Sequence, residues 1–140
     1  FDAATGEVIS RGNTNDEAKL NVSNFNATPA FHNGRGVFSA RVGVGLVGVP
    51  VCSRVYCIDQ ETAEIEWTFP DGGGLSAPAI ADGKVYIASG NCPFLHCLDE
   101  ETGESRWVYK LGHRVEESTL CIYKGKVYAL AADGYVHAIQ

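Results

Sequence analysis

The eleven residues from Cys57 to Trp67, CIDQETAEIEW, return forty positions later as CLDEETGESRW, Cys97 to Trp107. The cysteine, aspartate, threonine and tryptophan fall in register, as do two of the glutamates. An altered copy opens the chain as FDAATGEVIS, with Asp2, Thr5 and Gly6 in matching places and Ser10 where the others carry tryptophan. A period of this size confines the fold to a repeat architecture. Each unit is too small to bury both faces of its own sheet, so it must stack on neighbours.

Between the copies the pattern is that of short strands. TPAFHNGRGVFSARV from Thr28, SAPAIADGKVYIAS from Ser76 and STLCIYKGKVYALA from Ser118 align as three hairpins. They turn at Asn33-Gly34, Asp82-Gly83 and Lys124-Gly125. An X-Gly pair between alternating apolar runs is a strong hairpin signal. Third strands follow as SRVYCID, FLHCLD and YVHAIQ, then the D-x-x-T-G turn, then fourth strands EIEWTF and ESRWVY. In that turn an aspartate can accept backbone amides, and glycine can take the positive φ that other residues resist. Ala63 stands at the glycine position of its copy, and a left-handed backbone there costs roughly 1 kcal/mol. The expected fold is all-β, built from four-stranded antiparallel units.

Two segments interrupt the period. Residues 11–27 are polar and asparagine-rich and read as loop. They hold the sequons Asn21-Val-Ser and Asn26-Ala-Thr, which matter only in a glycosylating secretory host and otherwise arise by chance. Val42 to Val51, VGVGLVGVPV, is apolar and glycine-rich. It is either a longer hairpin folded back on the sheet or an exposed loop that receives a partner.

Net charge is −6 with no cluster of Lys and Arg, so nucleic acid is not an expected partner. No stretch approaches the roughly 20 apolar residues of a membrane span. The five cysteines include two C-x4-C pairs, Cys52 with Cys57 and Cys92 with Cys97. Such pairs can bind zinc, but Cys57 and Cys97 superpose on Ala138 in the third unit, which favours small buried side chains. His96 and His137 also superpose, as a repeat position would, whereas His32 and His113 read as isolated. No nucleophile motif or phosphate loop is present.

The motif copies resemble the tryptophan-docking motif of pyrroloquinoline quinone-type (PQQ-like) propeller repeats, A-x-D-x-x-T-G-x-x-x-W. Cys57, Asp59, Thr62, Ala63 and Trp67 meet it once, and Cys97, Asp99, Thr102, Gly103 and Trp107 meet it again. The resemblance implies a β-propeller in part. Residues 1–10 would be an outer strand of a preceding or last blade, 28–69 and 76–109 two blades, and 118–140 a blade lacking its outer strand. Trp67 and Trp107 would tie adjacent blades, with a weaker joint at Ser10. Three blades do not close a ring of about 4–8. The others would come from a longer parent chain or from a second copy, with the strand Glu7 to Ser10 exchanged to complete six.

The resemblance also bears on function. It implies a scaffold that binds protein or peptide, with no catalytic residue, metal or cofactor of its own, in the periplasm or outside the cell. The alternative is a fragment of a PQQ-dependent dehydrogenase, with quinone, calcium and catalytic residues on other blades. In propeller geometry the two insertions serve one blade and one face. Phe25, Leu46, Val47 and Val49 are therefore the expected partner-binding residues.

Overall fold

In the computed structural model, described for residues 2–8, 22–24, 27–42, 52–70, 76–90, 92–115 and 118–140, twelve strands form three antiparallel sheets. The first sheet contains β2 (Ala30–His32), β3 (Arg35–Val42), β4 (Cys52–Asp59) and β5 (Ile65–Phe69), with β1 (Val22–Asn24) beside the far end of β3. The second is β6 (Ala79–Ala81), β7 (Lys84–Ala88), β8 (Phe94–Asp99) and β9 (Ser105–Lys110). The third is β10 (Cys121–Tyr123), β11 (Lys126–Leu130) and β12 (Val136–Ile139). These sheets are blades of a β-propeller. Among the described residues no helix is long and apolar enough to cross a membrane.

The hairpins turn where the X-Gly pairs predict. Both residues of each pair have positive φ: 47° and 77° at Asn33-Gly34, 51° and 67° at Asp82-Gly83, 49° and 70° at Lys124-Gly125. Two successive positive φ values match the right-handed twist of the flanking strands. Lys124 takes this conformation without glycine's freedom, so its turn carries a cost the other two lessen with Asn and Asp.

Stacking buries one core between each two neighbouring sheets. Val37, Val55, Cys57 and Trp67 of the first meet Val85, Ile87 and Leu98 of the second. Ala88 and Leu95 of the second meet Val127 and Ala129 of the third, with Leu111, Val115 and Leu120 of the connecting segments filling the gap. The inner strands β2, β6 and β10 converge, and Ala77 forms a parallel bridge with Thr119. Sheets that meet along their inner strands and pack face to face are arranged radially, as in a propeller.

On the third sheet, Ile122 and Ile139 turn toward the second. Leu130 and Val136 are register partners and lie exposed on the other side. By repeat register they match Ala88 and Leu95, the pair with which the second sheet packs on the third.

Two features depart from the sequence reading. Residues 22–24, expected to be loop, form β1 and pair with β3 as Val22↔Val42 and Asn24↔Arg41. Val42, assigned to the apolar insertion, ends β3, and the β3–β4 ladder runs on to Val42↔Cys52. The second insertion thus begins as an extension of two strands. Residues 43–51 lie outside the described residues, as do Phe25 and Ser10.

Candidate functional site

The repeated turn uses the same amide-to-aspartate bonds in all three copies. Asp59 Oδ1 accepts hydrogen bonds from the amides of Glu61 and Thr62 at 2.9 and 2.7 Å and from Thr62 Oγ1 at 3.1 Å. Asp99 Oδ1 accepts from the amides of Glu101 and Thr102, both at 2.9 Å. Asp2 Oδ1 does the same for Ala4 and Thr5 at 2.9 and 2.8 Å. The threonine hydroxyl then accepts the amide two residues on, at Glu64, Glu104 and Glu7. The glycine position is left-handed in every copy, with φ of 59° at Ala63, 72° at Gly103 and 74° at Gly6.

These carboxylates are committed to structure. The Arg106 guanidinium, then the Thr102 amide, hold the Asp99 carboxyl down at about 2, while the Thr62 amide and hydroxyl lower Asp59. A folded value below the unfolded one stabilises the fold above the unfolded value, and that contribution disappears as pH falls through the folded value. Stability in urea should therefore decline from about pH 4 to about pH 2. Asp99→Asn should make that decline shallower. An equally steep decline in the variant would remove Asp99 from the cause.

Trp67 and the second turn come together across the gap between sheets. The indole is buried, and its Nε1 donates to the Glu100 carbonyl at 3.0 Å. The ring lies flat over Gly103: a Cβ placed there would sit 2.6 Å from Cδ2 and Cε3. Thr102 belongs to the same turn, whose amide at Glu100 donates to the Gly83 carbonyl at 3.1 Å. Asp59 and Thr62 form the corresponding turn of the first sheet, where the Gln60 amide donates to the Gly34 carbonyl at 2.8 Å. Trp107 pairs with Cys97 as Trp67 pairs with Cys57. It is half-buried, 5.9 Å from Tyr86, against the core between the second and third sheets.

His32, which reads as isolated in the sequence, is not. Its Nδ1 lies 2.7 Å from Oε1 of Glu100, a buried carboxylate of the next sheet. No local spacing signals this pair, because sixty-eight residues separate its members. His96 packs edge-on against Phe69 of the first sheet, and His137 bonds Asp133 at 2.9 Å. Both histidines occupy the same register position, opposite Ile87 and Ala129. Cys57 and Cys97 are fully buried, and burial pushes the Cys57 thiol up to about 12, which keeps it protonated and unreactive at neutral pH.

The described parts of the two insertions meet at one end of the first sheet, where β1 runs alongside the end of β3. The expected partner-binding residues Phe25, Leu46, Val47 and Val49 lie outside the described residues. A quinone–calcium site needs carboxylates and other oxygen ligands converging on one point. Among the described residues no three His, Cys, Asp or Glu side chains converge so as to hold an ion.

Residues 1–94 match the family described as outer membrane protein assembly factor BamB. No curated protein matches the chain. Among solved structures it is similar to the quinohemoprotein alcohol dehydrogenase of Comamonas testosteroni, with TM-score 0.60 and 24% identity over 82% of this chain and 18% of that one. The quinohemoprotein alcohol dehydrogenase ADHIIG of Pseudomonas putida HK5 gives TM-score 0.60 and 18% identity over 74% of this chain and 16% of that one. BamB of Moraxella catarrhalis gives TM-score 0.57 and 17% identity over 82% of this chain and 46% of that one. The chain spans less than half the length of each of these proteins, and the likeness is one of fold.

Proposed function

This chain belongs to the family of the outer membrane protein assembly factor BamB, and on that footing we propose that it is a non-catalytic propeller scaffold that binds protein. The observation that supports this reading is the pairing of β1 with the end of β3, Val22↔Val42 and Asn24↔Arg41. It brings Val22–Asn24 of the polar insertion beside Val42, where the apolar insertion begins, at one end of the first sheet. An apolar centre with a polar rim is the composition of a recognition surface. Phe25, Leu46, Val47 and Val49 supply its apolar part in this proposal. The partner is an extended, strand-forming segment of an outer-membrane protein, the class that the family description names. A periplasmic location fits that partner. The exposed Leu130 and Val136 face is covered by a further sheet, from the remaining blades of a parent chain or from a second copy.

Titration calorimetry with a synthetic strand peptide of about ten alternating apolar and polar residues tests the reading. Saturable binding is expected, weakened about tenfold or more in a Leu46→Ser, Val47→Ser double variant whose melting temperature is little changed. A variant that melts earlier yet binds normally would make the apolar insertion a shield for the polar one. Dye reduction with added PQQ, calcium and an alcohol by a protein that joins this chain to further blades would favour the alternative, a piece of a quinoprotein dehydrogenase.

A further inference from the structure

The two motif turns have the same backbone but opposite surroundings. At the second, the Trp67 ring occupies the space a Cβ on Gly103 would need, and Glu100 is 3% exposed beneath it. At the first, the equivalent residue is Ala63, left-handed like Gly103 and held by the same amide bond to its aspartate, 2.9 Å against 3.0 Å. Its methyl therefore stands, relative to its own turn, where the colliding Cβ would be. Ala63 is half-buried and Gln60, the counterpart of Glu100, is exposed.

An indole seated as Trp67 is seated cannot fit over this turn. The 2.6 Å approach falls far inside van der Waals contact, and both neighbours are stiff, one a ring and the other a backbone-borne methyl. The outer segment that would reach this turn follows the opening motif copy, the one at Asp2. Asp59 and Asp99 lie eight residues before Trp67 and Trp107, and eight residues after Asp2 stands Ser10. The two departures from the motif are thus complementary: the copy that loses the tryptophan precedes the turn that loses the glycine.

We infer that Ala63 makes the Asp59–Glu64 turn a selective docking surface, one that accepts an outer strand with a small residue at the docking position and rejects one with tryptophan. Its partner is this chain's own segment Glu7 to Ser10, and not a strand of the type of β5 or β9. The joint on the first sheet is thereby distinguished from the joint on the second. Sheets that share one fold are kept in a fixed order. This does not depend on which protein the scaffold binds.

A double-variant cycle tests it. Ser10→Trp alone should lower the urea midpoint, with solvent-exposed, red-shifted emission from the added indole. Combined with Ala63→Gly, the added indole should become buried and blue-shifted, and the two changes should couple by about tenfold in the unfolding equilibrium. The second joint supplies the reciprocal cycle should Ser10→Trp not fold. Gly103→Ala should be severe in the presence of Trp67 but, in Trp67→Ser, should cost only what a left-handed alanine costs in an open turn. Additive effects in either cycle, or blue-shifted emission from the added indole with Ala63 still in place, would overturn the assignment.

Discussion

Replacing Trp67 with alanine should lower stability by about 3–5 kcal/mol in urea unfolding, the range for deleting a large buried aromatic. Three losses combine. The ring packs in the core with Val37, Val55, Cys57 and Leu98, so a cavity opens between two sheets. The Glu100 carbonyl loses the Nε1 donor it meets at 3.0 Å. The flat contact with Gly103 leaves a bare left-handed backbone facing the void. Against a total of about 5–15 kcal/mol for a domain, that is enough to threaten folding. Trp67→Phe should recover much of the packing but not the hydrogen bond. Trp107→Ala should cost less, because that ring is only half-buried. A Trp67→Ala loss no larger than that of an ordinary surface change would show that the seat does not support the joint.

The sequence shows most clearly what is local. Hairpin turns, motif turns and the positions of Trp67 and Trp107 follow from residue types at fixed spacing, since a positive φ or an Asx bond involves only a few neighbours. Ala63 shows the strength of that local code, adopting the glycine conformation with φ of 59° because the Asp59 and Thr62 bonds hold the turn closed. What the sequence conceals is contact between distant segments. His32 looks isolated because its partner is on another sheet. Leu111 and Val115 look like linker residues, yet both are buried between the second and third sheets. β1, Val-Ser-Asn, shows no alternation, and it pairs with a strand some twenty residues away. For His32, Leu111 and Val115 the energy comes from stacking between sheets, and for β1 from ladder pairing within one; neither leaves a periodic trace.

The His32–Glu100 pair should respond unequally to the loss of its two members. The Glu100 side chain is 3% exposed and His32 41% exposed, so water can reach the histidine but hardly reaches the carboxylate. His32→Ala would leave a charge-bearing group buried without the partner at 2.7 Å, and should cost about 2–3 kcal/mol. Glu100→Gln keeps the shape and leaves a neutral amide that the histidine can still meet, while the backbone bonds of residue 100 to Trp67 and Gly83 persist. That change should cost under about 1 kcal/mol. The ordering follows from desolvation: removing the exposed partner of a buried group is worse than neutralising the buried group itself. Urea unfolding of the two single variants and the double variant measures it. His32→Ala in the Glu100→Gln background should lose much of its effect, since no carboxylate remains to be stranded. Equal losses in the two single variants, or full additivity, would mean that water already reaches Glu100 and that the pair joins the sheets no more firmly than a surface contact would.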